Sequence, residues 1–306
     1  MIKMIGWMKD TISEQLDLRA ERRHRSALRA EGIPLEAALT LARDARPRQT
    51  VFRQSLGEKG HRDWTHLRAH SHWSSEDDRE KLDDVFKSLV TTTTKPAVEF
   101  DIADVDNILL SKSTLSRYPT MEAFEKRAPN HEYGQGTPGD LQRCLAHEQI
   151  RCLKGTRHKS ESFTSFGWDD RLLLNNMGGS HHFSAARRIA REQGIKVPLQ
   201  LKHEHHALNP DAVHFVEQTL VLLVIPHEDL FKELRYALRQ EMVPVIPGRF
   251  RAPRCYGNDA HVLALSLKSD PSAKAANYLR SCGFTDLVDH LIEDLGVQHA
   301  RMKRLN

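Results

Sequence analysis

The clearest periodicity in the chain lies between residues 171 and 201. Leu172, Leu173 and Leu174 form a short apolar run suited to a buried strand, and Asn175, Asn176, Gly178 and Gly179 then supply turn chemistry. From Phe183 the apolar positions Phe183, Ala186, Ile189 and Ala190 recur every three or four residues, with Arg187, Arg188 and Arg191 on the other side. This predicts an amphipathic helix of about three turns. Ser180 fits its N-cap, Gly194 fits a left-handed stop, and residues 195–201 re-enter a sheet. The unit reads strand, glycine turn, helix, strand.

The same reading extends to both sides. Residues 11–46 read as two helices divided at Ile33-Pro34, and residues 74–89 as another, with Asp77 and Asp78 in an acidic first turn and Leu82, Val85, Phe86 and Leu89 as the buried face. Residues 91–96, four threonines followed by Lys95 and Pro96, break that helix, although the threonines also suit a strand. They divide a helical N-terminal region, 1–95, from a core at 96–208. Within the core, residues 128–141 read as a Pro- and Gly-rich loop able to close over a ligand, and 141–153 as a helix. The third region, 209–306, carries strands at 219–226, 242–247 and 261–267, a helix at 229–239, and a helical pattern at 272–295 interrupted at Gly283. Strands alternating with helices imply an α/β (α+β) protein whose last region extends the sheet of the core.

Composition narrows the class. With 39% apolar and 28% charged residues the chain is globular rather than disordered, and no run approaches the ~20 apolar residues needed to span a bilayer. The first residues lack a secretory signal pattern, which predicts a cytoplasmic protein with no membrane partner. Cys144, Cys152, Cys255 and Cys282 are scattered without a Cys-x-x-Cys pair, which argues against zinc or redox chemistry. A net charge of +4 is too mild to mark a nucleic-acid binder by itself. The run Arg19, Arg22, Arg23, Arg25 and Arg29 reads either as a solvated helix face paired with Glu21 and Glu31 or as a phosphate-contacting patch.

Two histidine clusters invite a metal. His66, His70 and His72 lie between Trp64 and Trp73 with no carboxylate among them, so exposed imidazoles are the simpler reading. In the run His203, Glu204, His205 and His206, a strand would place His203 and His205 on one face and the other two on the opposite face. At most two could then ligate together, and the alternative is an anion-facing or surface role.

The strongest candidate chemistry sits at the start of the central helix. First-turn N–H groups lack intrahelical acceptors and carry the positive end of the macrodipole, while Gly178 and Gly179 remove side chains that would keep a phosphate away. Ser180, His181 and His182 add donors.

This run, LLLNNMGGSHHFSAA from Leu172 to Ala186, followed by Gly194-Ile195-Lys196-Val197-Pro198, resembles the core motif of the ParB/sulfiredoxin-like superfamily. Upstream, residues 98–106 are similar to that family's opening strand and its Ile-Asp turn, and Arg117-Tyr118-Pro119 stands where an Arg-Pro element follows. Ser180 replaces the catalytic cysteine of sulfiredoxins and His182 the arginine, so sulfinic acid reduction is excluded. What the resemblance implies is a ParB/sulfiredoxin-like core with a phosphate cradle for ATP or CTP with Mg²⁺, in a nucleotide-dependent phosphotransferase or NTPase. Gly178, Gly179, Ser180, Ser184 and Arg117 would hold phosphate; Ser180, His181, His182 and Asp104 would be catalytic; Asp101 and Asp106 would hold the metal. The partner would be a nucleotide or phosphorylated small molecule. Nucleic acid is the alternative, in a DNA-binding or nuclease-like protein, as is a non-catalytic interaction protein with the same fold.

Adjacent helical residues diverge by about 100°, so His181 and His182 cannot face one phosphate equally. The motif implies that His181 is fixed against the core or turn and that His182 faces the ligand, with affinity rising as pH falls towards ~6.

Overall fold

In the computed structural model the described residues are 55–67, 69–70, 76–126, 133–134, 136–150, 161–246 and 249–305. The helices expected at 11–46, the Arg19–Arg29 run, and residues 128–132 and 135 of the expected 128–141 loop lie outside them. The protein is α/β. Its elements run β1 (Ala69–His70), α1 (Glu76–Ser88), β2 (Val90–Asp101), β3 (Asn107–Ile108), α2 (Met121–Glu125), α3 (Pro138–Leu145), β4 (Ser162–Phe166), β5 (Asp169–Asn175), α4 (Ser180–Gln193) and β6 (Pro198–Leu208). They continue with α5 (Pro210–Thr219), β7 (Leu220–Ile225), α6 (Glu228–Gln240), β8 (Arg249–Arg251), β9 (His261–Ser266), α7 (Asp270–Ser281) and α8 (Leu287–Leu305).

The strands form two sheets. One has the order β2-β6-β4-β5-β3 and the other β1-β8-β9-β7. In the first, β3 runs parallel to β5 and β4 parallel to β6, while β2 with β6 and β4 with β5 are antiparallel. The second sheet is antiparallel throughout.

Three apolar clusters stack these elements in layers. On one face of the five-stranded sheet, Phe163, Leu172, Leu174 and Leu199 meet Phe183, Ala186, Ile189 and Ala190 of α4, together with Phe124 of α2 and Leu141 of α3. On its other face, Leu173 and Leu208 join α1, α5 and α8 and one face of the second sheet. The far side of that sheet is covered by α6 and α7. The continuous apolar run of β7 follows from this position: Leu220, Leu222 and Val224 enter the middle cluster while Val221, Leu223 and Ile225 enter the outer one.

Several expectations need correction. Strand β2 runs through residues 90–101, so the division expected at 95/96 falls inside a strand, and Trp64, Leu67, Phe86 and Leu89 share a cluster with Leu287 and Leu291 from the other end of the chain. The last region builds a second sheet instead of extending the first. The strand expected at 242–247 is reduced to a bridge between Val245 and Leu265, with Met242 at φ 55°, and β8 at residues 249–251 takes its place. Helix α3 starts earlier than predicted and stops at Leu145.

The largest departure is Arg187, which the periodicity placed on the polar side of α4. It is only 3% exposed. Its guanidinium pairs with Glu125 at 2.5 Å and Glu122 at 2.8 Å, both on α2, and Arg191 reaches the same two carboxylates. Burial raises the Glu125 carboxyl, opposed by Arg187 and Arg191. Glu122, although burial pushes it upward, is brought to about 2 by backbone and Arg187 hydrogen bonds. Removing one partner of a buried ion pair leaves the other desolvated and alone, at a cost of about 3 kcal/mol or more, whereas a half-exposed pair contributes about 1 kcal/mol or less. Urea unfolding of Arg187→Met should therefore show a loss near the first figure, and Arg191→Met near the second. Equal losses would mean that α4 is not anchored through Arg187.

Candidate functional site

Because β3 and β5 are adjacent and parallel, both end on the same side of the sheet, and their following residues meet there. Asn176 ties the two ends together. Its amide donates to the carbonyls of Leu110 (2.9 Å) and Gly178 (3.0 Å), and its Oδ1 accepts from the Leu110 N–H at 3.1 Å. Gly178 and Gly179 then turn the chain into α4 with φ of 157° and 68°.

Gly179 is the N-cap residue, and no side chain caps the helix. The predicted cap, Ser180, is the first helical residue, buried, and its hydroxyl donates to Ser111 Oγ at 2.8 Å. A Cβ on Gly179 would lie 2.6 Å from the Gln149 carbonyl oxygen. Glycine is thus required by backbone close approach as well as by its left-handed conformation. At the other end Gly194 adopts φ 64°, as the pattern predicts.

A cleft of about 400 Å³ opens at this turn, lined by Leu110, Ser111, Lys112, Tyr133, Gln149 and residues 177–182. Leu110 and Met177, 47% and 46% exposed, form an apolar rim. Lys112 is exposed. Among the described lining residues there is no carboxylate; Glu161, which is buried, accepts the Met177 N–H at 3.2 Å.

His181 and His182 separate as the helical geometry requires. His181 Nε2 lies 3.2 Å from Ser113 Oγ, and its ring packs 5.3 Å from Phe124. His182 stacks on His147 with centroids 3.5 Å apart and packs against Tyr133 at 4.1 Å. Burial, then the neighbouring His147 and His181, holds the His182 imidazole down at about 4. His182, expected to be partly charged near neutral pH, is therefore neutral there.

Other predicted site residues lie elsewhere. Asp101 and Asp104 close a capping box on a 3₁₀ turn at Ile102–Asp104, Asp101 accepting from the Ala103 N–H and Asp104 from that of Asp101. Asp106 accepts the Leu172 N–H at 2.9 Å, near the start of β5 and away from the turn, and burial raises its carboxyl. Ser184 is fully buried and bonds back to the His181 carbonyl. Arg117 is exposed on the 3₁₀ turn Leu115–Arg117 and does not line the cleft. The residues that pattern reading missed are Ser111, Lys112, Tyr133, His147 and Gln149. Ser111 and Lys112 follow the apolar run Ile108-Leu109-Leu110, a signal legible only once β3 is known to lie parallel to β5.

Residues 95–304 match the model described as Family of unknown function (DUF6685), and the chain belongs to that family. No curated protein and no solved structure matches the chain.

Substituting Gly179 with Ala sets a Cβ against the Gln149 carbonyl at a left-handed residue, and should destabilise the protein by about 1–3 kcal/mol. Equilibrium denaturation checks this, and an unchanged midpoint would show that the turn and the Gln149 segment are not in contact. The His182 shift also has a sign. Its folded value lies below the ordinary ~6.5, so the unfolded chain takes up the proton first and stability falls as pH drops from about 6.5 towards 4. Melting curves of His182→Gln should show a shallower loss across that window than wild type.

Proposed function

We propose that the cleft between the ends of β3 and β5 binds the phosphate of a nucleotide, ATP or CTP, as the resemblance to the ParB/sulfiredoxin-like superfamily implies. The observation that carries this reading is the charge of the lining. Lys112, the start of α4 and the hydroxyls of Ser111 and Ser180 converge without a described carboxylate among them. The exposed Leu110 and Met177 side chains give the flat apolar part of such a ligand a surface to cover. The volume is that of a small-molecule site.

The same lining does not fit a protein-held magnesium. Asp101 and Asp104 are engaged in a cap and Asp106 in a backbone bond, and none of the three lines the cleft. The reading is nucleotide binding; a hydrolytic or transfer step would have to use the hydroxyls of Ser111 and Ser180 or the Ser113–His181 pair. A nucleotide ligand suits a cytoplasmic protein.

Calorimetry with ATP and CTP, with and without magnesium, tests this. Gly179 variants are unsuitable because the glycine supports the fold. Lys112→Glu reverses the exposed charge at the cleft and should weaken binding by about tenfold or more, with unfolding unchanged. Absence of nucleotide binding to wild type, or equal binding by a folded Lys112→Glu protein, would overturn the reading.

A further inference from the structure

Away from the cleft, the histidines of β6 form a second arrangement that the proposed function does not use. His203 and His205 share one face of the sheet, as strand alternation predicts, and both converge on one oxygen. Ser165 Oγ on the neighbouring β4 lies 2.8 Å from His203 Nε2 and 2.9 Å from His205 Nδ1. On the other side, β2 places Lys95 in register with His203 and Thr93 with His205. The edge of the Phe100 ring closes the apolar end.

Convergence on an oxygen discriminates between ligands. A hydroxyl has one proton, so at most one of the two imidazoles can accept from it and the other must present N–H to it. Ser165 Oγ therefore takes an N–H from at least one of the two rings, as an oxyanion oxygen would. A metal would need both nitrogens to offer lone pairs, and no group of three metal-ligating side chains occurs among the described residues. The surrounding charge has the same sense. The charged groups acting on His203 and His205 are Lys95 from β2, Arg301 from α8 and the histidines themselves. Glu204 points to the opposite face, where it binds Lys202 at 2.6 Å, and His206 bonds Thr92 there.

We infer that Lys95, His203, His205 and Ser165 form a second oxyanion site, for a phosphate group, on the five-stranded sheet. The phosphate has two possible sources, the free ion or a phosphodiester backbone. Burial and the cationic neighbours lower both imidazoles, so the two rings are neutral at pH 7 and an anion binds with proton uptake. Affinity should therefore rise as pH falls from 7.5 to 5.5.

The test follows the imidazole resonances of His203 and His205 by NMR, in the Lys112→Glu protein so that the cleft does not contribute, while inorganic phosphate or a short thymidine oligonucleotide is added. Saturable shifts of both rings, stronger at pH 5.5 and weakened about tenfold by Lys95→Ala, are expected. Tighter binding of the oligonucleotide assigns the phosphodiester, and equal or tighter binding of phosphate assigns the free ion. Rings that do not respond to either probe, or that respond to equimolar Zn²⁺ and not to phosphate, would overturn the proposal. Because the signals read are those of the β6 rings, and the cleft is weakened throughout, neither outcome depends on whether nucleotide binds there.

Discussion

A buried guanidinium has to be paired, and that requirement on Arg187 organises the half of the molecule that holds the cleft. Its partners, Glu122 and Glu125, lie on the short helix α2, so α2 can dock only where both carboxylates reach the middle of α4. Docking in that way fixes the rotation of α4 about its axis. Ala185, Ala186 and Ala190 are then fully buried, and small side chains let the helix sit close to its neighbours. The same docking brings Phe124 of α2 against His181, and the helix start is held at the ends of β3 and β5. A charge is thus spent on positioning an apolar face.

The two sheets are joined by a comparable device at the other end of the chain. Gln298 of α8 makes both backbone hydrogen bonds to Leu208, each at 2.8 Å, and so completes the end of β6 in place of a strand. Gly167 lies so close that a Cβ there would stand 2.4 Å from the Gln298 side-chain oxygen. Farther along, Asp294 accepts from the Trp64 indole and from Arg62, which ties the described N-terminal segment to α8. Burial raises this carboxyl to about 6, even with Arg62 beside it. A chain whose first described residues and last helix share one cluster does not separate at residue 95 or 208.

How much of this was legible depends on whether the signal was local. The strand, glycine turn, helix and strand of residues 171–201 follow from spacing and from Gly194, because each is decided within a few residues. The apolar run of β7 and the helices α1, α6 and α7 are local in the same sense. Arg187 was misread because periodicity assigns faces by residue type, and an arginine is buried only when a distant pair of carboxylates compensates it. The second sheet was missed because pairing partners such as β1 and β8 are short and far apart in sequence. For the cleft, the glycines and His182 were legible, but Lys112 was not, since its place depends on the parallel pairing of β3 with β5.

The acidic residues read from sequence as candidate metal ligands are held in hydrogen bonds to the backbone. Asp101 and Asp104 cap a turn, and Asp106 holds the backbone of β5. The buried carboxylates behave alike: Glu125 binds Arg187, Asp140 caps α3, Glu161 accepts from the turn at Met177, Asp286 accepts from the Leu222 and Val288 N–H groups, and Asp294 binds Arg62. Each is buried and is itself satisfied by a backbone N–H or a guanidinium. The cationic and neutral donors are distributed differently, since Lys112 and Lys95 are exposed and the imidazoles of His182, His203 and His205 are only partly covered. With its described buried acids committed to the backbone and to arginine, this fold keeps those carboxylates away from solvent, while Lys112 and Lys95 stay exposed beside His182 and His203.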